Sequence, residues 1–508
     1  MWRSEKVKKW GLMLMAWGLL LAVCGEPQVP ETYRNLGVLP KVYPDYVGVT
    51  VPPNMAPLHF ELLNEADDAV VRFTSKRGEL VCGGLKTRTD VAEWHALTAA
   101  ARGDSITVEV FAHASGQWLR FKPFAIYVAN DSIDPWMSYR LISPSYVSYE
   151  ELTINQRCLE NFDEDVMVDN MLCSTEAGGQ CVNCHSFQQY NPQRMQFHAR
   201  QSHGGTVIVY DGKAEKIDWN IPNLKSQTSN LKSQTSNLKS PPVYPSWHPS
   251  LPLIAYSTNK TLQSFHTAHP NKIEVLDTES HLTLYDIDSH TMTTVEQLPD
   301  ELETFPCWSP DGRWLYFCSA HFKYQADSVS TEEIILRADE LKYNIYRKPF
   351  DPDTRCFGER KLVFAADSLG LSAALPRISP DGRWLLFTVA QSGTFHIWHH
   401  DADLWMMDLH SLEAHPMADA NSDDTESYHS WSSNGHWVVF SSRRYDGVFT
   451  RPFFTHIDKD GHASKPFELP AADPDYHRQL LKSYNVPELM YGPVSITPQQ
   501  FARILKNK

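Results

Sequence analysis

The chain has 508 residues, enough for roughly two or three separate hydrophobic cores. With 42% apolar, 12% aromatic and 21% charged residues it is not an intrinsically disordered polymer. A formal charge of -15, with no cluster of Lys and Arg beyond the N-terminus, excludes a nucleic-acid partner.

Arg3, Lys6, Lys8 and Lys9 precede an apolar run from Trp10 to Val23 that ends at Cys24. A basic region followed by an apolar stretch too short for a comfortable membrane span is the pattern of a secretory signal over residues 1–24. Leu21-Ala22-Val23-Cys24 resembles a bacterial lipoprotein signal, although Val23 departs from the small residue usual before the cysteine. That resemblance implies lipidation at Cys24 and a periplasmic chain anchored to the inner or outer membrane.

From about residue 45 to 130 apolar and polar residues alternate with period two. Ile106, Val108, Val110 and Ala112 share one face, and Phe124, Ile126 and Val128 repeat the pattern. Only Asp90 to Arg102 reads as a helix. Residues 25–140 are therefore expected to form a β-sandwich serving as a spacer or docking module.

Residues 141–194 are expected to be a linker, and within them stands Gly179-Gln180-Cys181-Val182-Asn183-Cys184-His185-Ser186-Phe187. Two thiols three positions apart with a histidine directly after the second are what attachment of a c-type haem requires: the thiols add to the vinyl groups and His185 is delivered to the iron. Zinc would need two further ligands, with His198 and His203 the only near candidates. A redox dithiol would need a βαβ setting that the sequence does not supply, and a Cys181–Cys184 disulfide is a further alternative. For the distal side of a haem, His198 is the tentative choice. His203, Met171, Met195, His266, His396 and His399 lie further down the order. An exported chain with nine Cys should have them paired, modified or buried. Cys158 and Cys173 flank the motif as a disulfide candidate, while Cys307 and Cys318 read as small apolar strand residues.

The second half repeats itself. Phe305-Pro306-Cys307-Trp308-Ser309-Pro310-Asp311-Gly312-Arg313-Trp314 is matched by Leu375-Pro376-Arg377-Ile378-Ser379-Pro380-Asp381-Gly382-Arg383-Trp384, and less closely by Tyr428-His429-Ser430-Trp431-Ser432-Ser433-Asn434-Gly435-His436-Trp437. A degenerate copy begins at Tyr244-Pro245-Ser246-Trp247. Each copy sets a tight turn between two strands, and a further strand pair follows, which is the periodicity of a β-propeller. These elements resemble the TolB-like, or WD40-like PD40, propeller repeats of the bacterial cell envelope. The resemblance implies five or six blades over residues 195–475, used for docking other envelope proteins. Residues 476–508 are expected as a tail packed across the propeller. The repeated Asn223-Leu224-Lys225-Ser226-Gln227-Thr228-Ser229 reads as an insertion between blades. Arg443, Arg444 and Arg451 could meet an acidic partner, or pair with the chain's own acidic loops.

The expected fold is all-β: an N-terminal β-sandwich, a short haem-attachment segment, then the propeller. No Gly-x-Ser-x-Gly elbow supports a propeller-capped peptidase. The expected function is that of a c-type haem protein relaying electrons, with covalent haem c on Cys181, Cys184 and His185 and no hydrolase chemistry. The alternatives are a non-redox binding scaffold, or a haem oxidoreductase with an open iron position.

Overall fold

A computed structural model describes residues 27–143, 151–173, 180–201, 203–219, 242–266, 271, 273–326 and 328–507. The signal segment with Cys24 and the repeated Asn223 segment lie outside these residues. No helix among the described residues is long and apolar enough to cross a membrane.

Six sheets of four or five antiparallel strands follow one another as blades. Blade 2 runs from Gln180–Phe187 through Met195–Gln201 and Gly205–Tyr210 to Lys213–Ile217. Blades 3, 4, 5 and 6 begin at Pro242–Trp247, Glu301–Trp308, Ser372–Ile378 and Glu426–Trp431. Blade 1 is assembled from both ends of the ring: Trp136–Ile142, Thr153–Cys158 and Glu164–Asp169 pair in order, and Ser483–Met490 adds itself antiparallel to Trp136–Ile142. The C-terminal segment therefore closes the ring as a strand, leaving neither side of blade 1 to be completed elsewhere. It was expected only to pack across the surface.

The turns between first and second strands explain the repeat. In blade 4 the Ser309 hydroxyl accepts the Trp314 amide at 3.0 Å, and the Asp311 carboxylate accepts the Arg313 amide at 3.0 Å. Ser379 and Ser432 receive Trp384 and Trp437 in the same way at 2.9 and 3.0 Å. Gly312, Gly382 and Gly435 have φ of 68°, 76° and 73°, a left-handed conformation that a side chain would oppose.

Residues 27–130 pair as one seven-stranded mixed sheet and a separate two-stranded ribbon, rather than as the two facing sheets expected of a sandwich. The helix Val91–Ala100 forms where the sequence places it: Asp90 caps it by accepting the Ala92 and Glu93 amides, and the Trp94 indole is buried. This region is not detached from the propeller. Val71, Phe73, Ile106 and Trp94 belong to the same core as Trp437, Phe454 and Phe467 of blade 6 and Tyr484 of the closing strand.

A second core lies under blade 2, where Cys173, Cys181, Val182 and Phe197 pack against Phe501 and Leu505 of the C-terminal helix Pro498–Lys506. That helix opens on a Thr497/Gln500 capping box, which satisfies two amides that its first turn would otherwise leave bare. The described residues between 136 and 187 thus contribute three strands of blade 1 and the first strand of blade 2. Where a linker was expected over residues 141–194, the described residues are largely strand, and they lack the Ser-Pro-Asp-Gly turn that marks the later blades.

Candidate functional site

The first strands of blades 2 to 6 and the closing strand Ser483–Met490 of blade 1 face a common central channel, and each carries the same irregularity. Their ladders shift register between Asn183 and Ser186, Val243 and Ser246, Thr304 and Cys307, Ala374 and Arg377, and Ser427 and Ser430. The closing strand shifts at the corresponding place, between its partners to Ser138 and Arg140. At each bulge one residue takes positive φ: Cys184 at 51°, Tyr244 at 51°, Phe305 at 50°, Leu375 at 55°, Tyr428 at 45° and Val486 at 53°. A bulge adds a residue to one strand and re-aims the side chains around it. The next position is Pro245, Pro306, Pro376 and Pro487 in four blades, His429 in blade 6 and His185 in blade 2. Proline is tolerated at a bulge because the ladder there does not use its missing amide.

Cys184-His185-Ser186-Phe187 is therefore blade 2's version of Tyr244-Pro245-Ser246-Trp247. The motif sits inside a repeat unit, on a channel-lining strand, and not in a connecting segment.

The channel holds a cavity of about 210 Å³ that is partly open to solvent, below the roughly 300–1,000 Å³ of an ordinary ligand pocket. Cys181, Cys184 and His185 all line it, together with Arg140, Arg200 and Arg377, the rings of Tyr244, Phe305, Phe395 and Tyr428, and Glu488. Glu488 is the only carboxylate in that lining among the described residues, and it accepts a hydrogen bond from Arg377 at 2.9 Å. The remaining arginines leave the chamber cationic.

His185 is 1% exposed; the Ser138 and Val486 carbonyls lie against its ring, but neither nitrogen makes a hydrogen bond of ordinary geometry. Burial chiefly, with Arg140 adding to it, lowers its pKa to about 3 against a smaller upward pull from the Ser138 and Val486 carbonyls. The imidazole is thus neutral at pH 7, with a lone pair available. Its counterpart His429 differs, since Nε2 donates to the Leu386 carbonyl at 3.2 Å. Burial also raises the Cys184 thiol above its ordinary range, with Arg200 and Arg140 opposing. These residues fit a c-type haem in their donor set: two thiols and a neutral imidazole face one chamber whose walls are aromatic and whose charge suits carboxylates.

His198 does not join them. It is 1% exposed inside blade 2, where Nδ1 meets the Thr206 hydroxyl at 3.0 Å, and it is not part of the cavity lining. Its strand reaches the cavity at Arg200, two residues further on, whereas the His198 ring is held within the blade by Thr206. Met195 is buried in the core under blade 2, Met171 is exposed away from the channel, and His266 is exposed. His396 bonds Thr388 at 2.7 Å, and His399 pairs with Glu274 at 3.0 Å. No histidine other than His185, and no methionine, lines the cavity among the described residues.

All eight cysteines among the described residues are free thiols, so neither the Cys158–Cys173 pairing nor a Cys181–Cys184 disulfide is formed. Cys158 ends a strand of blade 1 while Cys173 packs beside Cys181 in the core under blade 2. Cys307 and Cys318 are buried in neighbouring strands of blade 4. Arg444 pairs with Glu426 at 3.1 Å, Arg443 lies over Trp398, and Arg451 donates to the carbonyls of Lys482, His477 and Leu480. These arginines brace blade 6 and its exit, so they are not available to an acidic partner.

No protein-family model matches the chain, and no curated protein matches it. Among solved structures it is similar to TolB from Acinetobacter baumannii, with 12% identity, a TM-score of 0.41 and coverage of 79% of this chain and 85% of that one. It is also similar to the Synechocystis apocarotenoid oxygenase, with 10% identity, a TM-score of 0.36 and coverage of 87% and 95%. A luciferin-regenerating enzyme shares 12% identity at a TM-score of 0.35, over 66% of this chain and 87% of its own. Likeness at this level leaves function to be argued from the site.

Proposed function

We propose that this is a cell-envelope redox protein carrying a covalent haem c inside its propeller channel, with Cys181 and Cys184 as the thioether donors and His185 as the proximal ligand. The observation that carries the reading is the convergence of His185, a buried and neutral imidazole, with two thiols on the lining of one chamber. Bound there, the haem would supply one-electron or small-ligand chemistry at iron. Arg140 and Arg200 offer positive charge to carboxylates, and Tyr244 and Phe305, with ring centroids 4.3 Å apart, form an apolar wall. Among the described residues His185 is the one histidine in the lining and no methionine joins it, so these residues would offer the iron a single strong ligand and leave room for small-ligand chemistry.

The envelope location, a lipid anchor at Cys24 and docking of envelope proteins on the propeller complete the reading. They rest on the leader pattern of residues 1–24 and on the repeats.

A second reading, a binding scaffold without a redox group, is favoured by the equivalence of the motif with the other five bulges. His429 shows that a histidine can occupy this position for structural reasons. Expression with the cytochrome c maturation machinery separates the two. The haem reading expects a Soret band that survives denaturation, is lost in Cys181→Ser/Cys184→Ser, and shifts on carbon monoxide binding to the reduced form. A colourless protein with intact fold establishes the scaffold reading instead. A haem protein that is blind to carbon monoxide overturns the open position.

A further inference from the structure

Blade 6 departs from the repeat at the turn where it meets the N-terminal region. Blades 4 and 5 read Ser-Pro-Asp-Gly-Arg-Trp, whereas blade 6 reads Ser432-Ser433-Asn434-Gly435-His436-Trp437. In blade 5 the Arg383 side chain lies over Trp384, with 4.3 Å from the guanidinium carbon to the ring centroid. It also donates to Asp408, the cross-strand partner of Trp384, at 3.1 Å. In blade 6 the arginine is replaced by His436, and the residue opposite Trp437 is His456. An ion pair has become a pair of imidazoles, with ring planes 13° apart and centroids 6.2 Å apart.

The loop that follows the N-terminal sheet is docked onto this turn. Asp134 accepts hydrogen bonds from the Ser433 amide at 2.8 Å and its hydroxyl at 2.6 Å, the Ser132 carbonyl accepts from Asn434 at 2.6 Å, and the Asp131 carbonyl accepts from the Trp437 indole at 3.2 Å. The docking brings the Asp131 carboxylate to 3.9 Å from His456 Nε2. That nitrogen is buried and has no hydrogen-bond partner. One ligand atom each from Asp131, His436 and His456 lie within 4.8 Å of one another.

The geometry points to a divalent metal site of the zinc class, formed by Asp131, His436 and His456, that clamps the N-terminal region to blade 6. Two imidazoles and one carboxylate are a donor set suited to Zn²⁺, with water completing the shell. Tetrahedral ligation at zinc's usual bond lengths separates donor atoms by about 3.3 Å, so the three groups need to close by an ångström or so around the ion. The site is independent of the haem reading.

The test is a Co²⁺ titration of the full chain in a Cys181→Ser/Cys184→Ser background, followed by absorption and thermal unfolding, with Zn²⁺ as competitor. One equivalent should bind with the ligand-field bands of a nitrogen and oxygen site and no thiolate charge-transfer band, and Zn²⁺ should displace it and raise the unfolding midpoint. His436→Arg restores the side chain carried by blades 4 and 5, so it should fold and yet weaken binding at least about tenfold. Asp131→Asn should do the same and abolish the zinc-dependent rise in the midpoint. The proposal is overturned if no stoichiometric binding occurs, or if binding is unchanged in His436→Arg and Asp131→Asn.

Discussion

Single buried histidines decide much of the chemistry of this molecule. His198, His248 and His429 are pushed down to about 3, about 4 and about 3, each chiefly by burial. They stay neutral in the folded state, whereas the same residues in the unfolded chain take up protons near pH 6.5. A group with a depressed cationic pKa contributes stability that is complete above the unfolded value and is lost as pH falls toward the folded one. Each such histidine should steepen the loss by about 1.4 kcal/mol per pH unit between roughly pH 6 and 4. His429→Gln keeps a donor for the Leu386 carbonyl but cannot titrate. Urea unfolding from pH 7 to 4 should show the variant's stability falling less steeply than the wild type's by that amount, and parallel curves would refute the assignment.

The bulge is the element that makes the channel. Six channel-lining strands each spend one residue in the left-handed region, and at Val486 of the closing strand that residue is β-branched, the side-chain type least suited to it. Glycine there relieves backbone strain and offsets its own entropic cost. Val486→Gly should therefore cost less than about 1 kcal/mol, as read by chemical denaturation. Phe501→Ala, in contrast, empties the packing of the C-terminal helix on Phe197, whose ring stands 5.2 Å from it edge-on. It should cost about 3–5 kcal/mol. A Val486→Gly loss as large as that of Phe501→Ala would mean that the channel-facing residues are held by packing, not positioned by the bulge.

At the scale of the whole molecule, what the sequence reveals follows what it repeats. Blades 4, 5 and 6 are legible because the Ser-Pro-Asp-Gly turn and its tryptophan recur, and blade 3 because Tyr244-Pro245-Ser246-Trp247 keeps half of that pattern. Blades 1 and 2 are not. After Cys184-His185-Ser186-Phe187 the connection carries Asn191-Pro192 instead of the repeat turn, and blade 1 joins strands far apart in the chain, as in the Ser138–Glu488 pairing across 350 residues. No local pattern reports a partner that distant. The donor set Cys181, Cys184 and His185 was readable from spacing alone, but its surroundings were not. That His198 turns away from the channel, and that arginines and tyrosines from four other blades converge on the motif, depends on ring closure. The signal that could have placed the motif was present: Cys184-His185-Ser186-Phe187 aligns with Tyr428-His429-Ser430-Trp431.

The central claim is that the channel's two thiols and His185 hold a covalent haem. Intact-mass spectrometry of the denatured, reduced protein, produced alongside cytochrome c maturation, tests it most directly. A mass increased by one haem, mapped to the peptide containing Cys181 and Cys184 and absent in Cys181→Ser/Cys184→Ser, is the expected result. An unmodified chain in which both cysteines alkylate as free thiols would contradict it.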